Sequence, residues 1–167
     1  GDAASGRCGG CTREAAAARR YAAAMNEPPV DGARGISALG QRLALTGYRV
    51  LAIDLDPQAS LTALHGVQPE FDLVDGGTLY DAIRYDEPVA ITDVIRRTYI
   101  PNLDLIPGNL ELMEFEHETP RALAKGNAGL FFFRVREALA QVDDRYDVVV
   151  IDCPPQLERQ RDRCRGF

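Results

Sequence analysis

No apolar run in this chain approaches the roughly 18 to 20 residues of a membrane-spanning helix, and the first residues lack the continuous apolar core of a secretory signal. The chain is therefore read as cytoplasmic, with no membrane partner. Cysteine is scarce: Cys8, Cys11, Cys153 and Cys164 supply one closely spaced pair, which is half of a zinc site without the other half. Cys8-Gly-Gly-Cys11 lies in Gly/Ala/Arg-rich sequence with no strand before it and reads as two exposed, reduced thiols. His65 and His117 stand alone, without a partner at ligand spacing, and read as surface or helix-end residues. A basic excess is lacking too. The formal net charge is -6, which gives no support to a broadly basic nucleic-acid-binding face.

What is present is enough apolar sequence, in 167 residues, for one domain with a sizeable core. Three parts differ in character. Residues 1–35 are low in complexity, with alanine runs broken by Arg19 and Arg20 and then Pro28-Pro29; they offer no large apolar face and read as a disordered arm. Residues 36–155 alternate helix and strand patterns, and residues 156–167 read as a solvated tail.

Within the middle part, Ile36, Leu39, Leu43 and Leu45 recur at helical spacing before Gly47, which is placed to stop a helix and turn into a strand over 49–53. Short helices are expected over 59–65, 78–84 and 89–97, the last with Ile91, Val94 and Ile95 on one face. A strand follows at 103–106, closed by Pro107-Gly108-Asn109. Helices over 110–125 and 130–142 then lead to Tyr146-Asp-Val-Val-Val-Ile-Asp152, a β-branched run without alternation, as in a strand buried on both faces. Strands separated by helices predict a layered α/β domain with a mostly parallel sheet.

The chemistry collects at strand ends. The strand before Asp54-Leu-Asp-Pro-Gln58 ends in two carboxylates and stops at Pro57, and Asp152 ends the later apolar run before Cys153-Pro-Pro155. In parallel sheets, the crevice at the carboxyl ends of the strands is where ligands bind. Taken together, Asp54 to Gln58 and Asp152 to Pro155 resemble the ParA family of partition ATPases. The run Leu103-Asp-Leu-Ile-Pro-Gly-Asn-Leu-Glu-Leu-Met-Glu-Phe-Glu-His-Glu118 is similar to the RepA-type members encoded with plasmid replication modules. The resemblance covers residues 39–156.

That resemblance implies a three-layer, mostly parallel sheet of the P-loop NTPase type, here incomplete, with ATP and Mg2+ as cofactors. It implies Asp56 as the catalytic, water- and metal-facing carboxylate with Asp54 supporting it, Asp152 as the metal-supporting carboxylate, and Gln58 and Pro154 beside the cofactor. It also implies a centromere-binding partner of the ParB/RepB type, non-specific DNA and a homodimer partner.

One part of the family pattern is missing. A loop of the form Lys-Gly-Gly-Val-Gly-Lys-Thr-Thr would fall over 27–34, where this chain has Glu-Pro-Pro-Val-Asp-Gly-Ala-Arg. The window has no lysine and no hydroxyl for Mg2+, its two prolines remove N–H donors, and Arg34 in a turn with one glycine does not rebuild a cradle of amides. No apolar strand precedes it, so the neighbour expected beside the strand at 146–151 is missing as well. The expectation is an incomplete, catalytically impaired copy, through truncation, frameshift or gene model; the other two reading frames upstream of Leu39 should then encode a P-loop. Two alternatives stand beside it. One is a non-catalytic, partner-binding remnant. The other is a haloacid-dehalogenase-type phosphatase with Asp54 as nucleophile and Asp56 as acid, a pattern in which Gln58 replaces the expected hydroxyl.

Overall fold

A computed structural model describes residues 32–73, 75–115 and 131–154. Of the arm expected over 1–35, residues 1–31 lie outside the described residues, as do Cys8, Cys11, His117, Cys164 and the tail at 156–167, whereas residues 32–35 are helical rather than disordered.

Helix α1 (Gly32–Leu45) begins four residues before the periodic apolar pattern does. Ala33 adds one more turn to the face formed by Ile36, Leu39 and Leu43, all packed on the sheet. Leu45, expected on that face, is exposed instead: it follows Leu43 by two residues, which turns it to the far side of the helix while Ala44 stays buried. Gly47 ends it with φ +101, where a side chain would be strained. The Tyr48 N–H donates back to the Leu43 carbonyl (3.2 Å) and the Gly47 N–H to the Ala44 carbonyl (3.0 Å), the pattern of a Schellman stop.

The turn delivers the chain into β1 (Val50–Asp54), buried at every position. Then follow α2 (Ser60–Leu64), α3 (Pro69–Asp72), α4 (Leu79–Ile83) and α5 (Ile91–Val94), each five residues or fewer. β2 (Arg96–Arg97), β3 (Leu103–Ile106), a 3-10 turn (Leu110–Met113), α6 (Phe131–Ala140) and β4 (Val148–Asp152) complete the order. The sheet order is β2-β3-β1-β4, with β1 parallel to both neighbours and β2 antiparallel to β3.

Side-chain alternation sorts the core into two layers. Val50, Ala52, Leu103, Leu105 and Val150 face α1 and Leu61. Leu51, Ile53 and Ile106 face the other way, onto α4, α5 and α6. Helices thus cover both faces, the three-layer arrangement expected, and each fully buried Leu or Ile contributes about 1.5–3 kcal/mol. Gly40 faces the sheet, where a Cβ would stand in ordinary contact, 3.4 Å from Leu103 Cδ1.

Three expectations change. The helix expected over 89–97 stops at Val94. Ile95 is extended, and Arg96 and Arg97 pair with Leu105 and Asp104, because the free edge of β3 offers ladder bonds that a β-branched segment takes in preference to helix. The helix expected from Leu110 opens as a 3-10 turn, and its continuation beyond Phe115 lies outside the described residues. Finally, β4 is buried on both faces only in part: Val148, Val149 and Ile151 are half-buried. Among the described residues β4 pairs on one side only, with β1, so nothing shields its outer edge.

Candidate functional site

Asp54 and Asp152 are register partners on adjacent parallel strands, so their side chains leave the same face of the sheet at its carboxyl end. There the two carboxylates part in role. Asp54 is fully buried. Its Oδ2 accepts from the Thr62 N–H (2.8 Å) and the Thr62 hydroxyl (2.7 Å), and its Oδ1 accepts from the Asp56 N–H (3.1 Å). Burial raises its pKa, and these hydrogen bonds hold the rise back. A carboxylate so engaged has no oxygen presented to solvent, a poor fit to the nucleophile of the phosphatase alternative.

Asp152 is also buried, at 5% exposure, yet it lines an open cleft of about 670 Å3. Burial first, and then the charges of Asp54 and Asp56, push its pKa up to about 6. No hydrogen bond relieves it among the described residues. A buried carboxylate in that condition calls for a cation. Asp56, half-buried, lines the same cleft, its Oδ1 accepting from the Gln58 N–H (3.0 Å). Among the described residues no group of three His, Cys, Asp or Glu closes a metal site. That donor set suits Mg2+, which keeps several waters and binds through one or two carboxylates plus phosphate oxygens.

The opposite wall of the cleft was not legible in the sequence. Gly32, Ala33 and Arg34, expected in a turn, form the first turn of α1 and line the cleft with Ser60, Ala63, Leu64 and Cys153. The first turn of a 14-residue helix, the positive end of its dipole, and Arg34 therefore share one cavity with two carboxylates. One wall suits an anion and the other a cation. Residues 27–31 of the missing loop lie outside the described residues. Gln58 is exposed and Pro154 half-buried, and neither lines the cleft. Asp56 and Asp152 share the cavity, with Asp54 buried behind them as the register partner of Asp152; Gln58 and Pro154 are not part of that cavity.

Sequence reasoning missed Thr62 and Gly108. Thr62, wholly buried, binds Asp54 and accepts the Gly108 N–H on its hydroxyl (3.0 Å). The one signal available was a lone hydroxyl between Leu61 and Ala63.

His65 does sit at a helix end, the C-terminus of α2, but it is buried rather than on the surface. Its Nε2 is 3.2 Å from Ser37 Oγ on α1, and its buried Nδ1 has no partner. Burial lowers its pKa, so the folded state keeps it neutral. The unfolded chain takes up the proton first; stability from this group is complete above about 6.5 and is lost as pH falls through the folded-state pKa. Asp152 acts oppositely, its contribution being complete below about 3.9 and lost as pH rises through about 6. In a comparison of thermal melts at pH 7 and pH 5, His65→Gln is expected to lose a few degrees less on acidification than the parent, since the carboxylates contribute to both. Equal losses would show that His65 is not the acid-sensitive group.

Residues 35–162 match the model of the AAA domain family. A protein of Rhizobium rhizogenes named as a replication protein A is 66% identical over 122 residues, which are 71% of this chain and 30% of that one. The sporulation initiation inhibitor protein Soj of Bacillus subtilis is 35% identical over 119 residues, 71% of this chain and 43% of Soj. The chain thus spans about a third of the length of the first curated relatives it matches. Among solved structures, cobyrinic acid a,c-diamide synthase from Mycobacterium smegmatis, with bound ADP and magnesium, superposes with TM-score 0.65 at 30% identity, covering 78% of this chain and 49% of that one. A plasmid partition protein from Borrelia burgdorferi gives TM-score 0.57 at 26% identity, covering 76% and 53%. With the strand-end carboxylates and the parallel β3-β1-β4 core, these matches show that the chain belongs to the ParA-type partition ATPase family, on a P-loop NTPase-type α/β fold.

Proposed function

We propose that this chain carries the carboxylate half of a partition-ATPase nucleotide site and binds Mg2+ with phosphate, while hydrolysing ATP poorly or not at all. One observation carries this: a buried carboxylate without a hydrogen bond, Asp152, shares a cleft with Asp56, the first turn of α1 and Arg34. Asp152 and Asp56 would hold the cation, and Arg34 and the α1 N–H groups would face the phosphates. Mg2+ in this position would supply charge to offset the phosphates. Asp54 supports from behind, through the loop it anchors. The impairment rests on the window at 27–34, with its two prolines, no lysine and no hydroxyl.

By the same family membership, the working context is plasmid partition in the cytoplasm, with a ParB/RepB-type partner, non-specific DNA and a second copy of the chain. Among the described residues no helix is long and apolar enough to cross a membrane. The partner-binding alternative differs only in dispensing with nucleotide.

Calorimetry of the purified chain with ATP and Mg2+, beside Asp152→Asn, tests the reading. Binding to the parent, weakened by about 10-fold or more in the variant, is expected for loss of a cation-holding carboxylate. Mg2+ alone is also expected to raise the melting temperature of the parent and not of Asp152→Asn, because only the parent has a buried charge to relieve. A folded parent that binds neither Mg2+ nor ATP would leave the partner-binding remnant as the better account.

A further inference from the structure

We propose that Thr62 is a positioning residue that sets where Asp56 stands in the cleft; the role rests on the cation-site reading above. The loop that carries Asp56 runs from Asp54 to Thr62, and both of its ends are fastened to one carboxylate. Asp54 Oδ1 takes the Asp56 N–H (3.1 Å), while Oδ2 takes the N–H and hydroxyl of Thr62 (2.8 and 2.7 Å). The loop is thus closed into a ring. Thr62 Oγ1 then ties the ring to a second strand end by accepting the Gly108 N–H (3.0 Å) just after β3.

The ring holds a backbone conformation that would otherwise relax. Ala59, inside the loop and buried, has φ +53 and ψ 36, a left-handed conformation that an L-residue with a Cβ adopts at a cost. Such a residue persists where its surroundings over-determine it. Its N–H donates to the Asp56 carbonyl (2.8 Å), so the strained turn and the Asp56 backbone form one unit. Removing the Thr62 hydroxyl cuts one of the two bonds that hold this end of the ring, leaving only the Thr62 N–H, and removes its tie to Gly108. Ala59 can then return to an ordinary conformation, carrying Asp56 away from Asp152. Asp152 itself is fixed in β4 and stays. Thr62, wholly buried and outside the cleft lining, acts on the cation through Asp56 without touching it.

The test measures Mn2+ binding to the full chain by the loss of the free-ion electron paramagnetic resonance signal. Compared are the parent, Thr62→Val, which keeps the shape and loses the hydroxyl, and Thr62→Ser, which keeps the hydroxyl. Thr62→Val is expected to bind Mn2+ about 10-fold more weakly, and Thr62→Ser to stay within about threefold of the parent, as for an outer residue that orients a metal-facing carboxylate. Parent-like affinity in a folded but less stable Thr62→Val would overturn the positioning role and leave Thr62 purely structural. If Thr62→Val does not fold, the decision rests on Thr62→Ser: affinity within about threefold of the parent supports the positioning role, and a folded Thr62→Ser that loses about 10-fold overturns it. Failure of the folded parent to bind Mn2+ overturns the cation site, and the role of Thr62 with it.

Discussion

Asp54→Ala is expected to lower the unfolding free energy by about 2–4 kcal/mol, a large share of the roughly 5–15 kcal/mol available to a domain. The substitution leaves the N–H and hydroxyl of Thr62 without their acceptor in a place closed to water, and the N–H of the half-buried Asp56 without its own. Hydrogen bonds to a charged group are worth about 1.5–3 kcal/mol each. Against that stands the removal of a carboxylate whose charged form burial disfavours, which is why the net effect is below the sum. Asparagine offers one carbonyl oxygen to Thr62 but turns an NH2 toward a donor, so Asp54→Asn is expected to recover only part of the loss. Urea titration monitored by circular dichroism measures this, with an unchanged m-value as the sign that the two states are the same. A loss under about 1 kcal/mol would mean that Asp54 is not the anchor of the loop.

Gly108→Ala is expected to cost about 2–3 kcal/mol, near the top of the range for overfilled cores. A Cβ at position 108 would stand 2.7 Å from the Asp54 carbonyl oxygen and 3.3 Å from its carbonyl carbon. The obstacle is backbone at the end of the central strand, paired on both sides, and it cannot turn aside as a side chain can. The shift needed also stretches the Gly108 N–H bond to Thr62. Gly40→Ala provides the contrast. Its Cβ would meet Leu103 and Val150 at ordinary contact distance, 3.4 and 3.5 Å, and alanine gains up to about 1 kcal/mol in a helix interior. Thermal melts of both variants separate the cases: Gly40→Ala at or above the parent, Gly108→Ala well below. Similar melting temperatures would mean that the close approach of 108 to Asp54 does not constrain the fold.

Local signals located most of the fold. The unbroken apolar runs at Val50 to Ile53 and Val148 to Ile151 became parallel neighbours, and Gly47 stopped α1 as its position implied. Segments whose fate depended on a neighbour were misread. Ile95 to Arg97 continue a helical pattern in sequence, but the open edge of β3 made them a strand. Leu45 stands two residues after Leu43, off the i+3/i+4 spacing, and is exposed while Ala44 beside it is in the core. The site divides in the same manner: of the motif residues, Asp56 and Asp152 line one cleft, whereas Asp54, Gln58 and Pro154 lie outside its lining despite belonging to the same motifs.

The sequence by itself determined the strand and helix segments, the family, and the presence of carboxylates at two strand ends, because those depend on residue type and spacing along the chain. Only the tertiary structure decided what each carboxylate does. Asp54 and Asp152 both end apolar strands, in register beside each other, yet α2 folds back to give Asp54 two donors beside the Asp56 N–H and leaves Asp152 facing the first turn of α1 across the cleft. Whether a buried charge is satisfied depends on donors brought in from beyond its own strand, here Thr62 on α2 for Asp54 and none among the described residues for Asp152, and no spacing rule along one strand contains them.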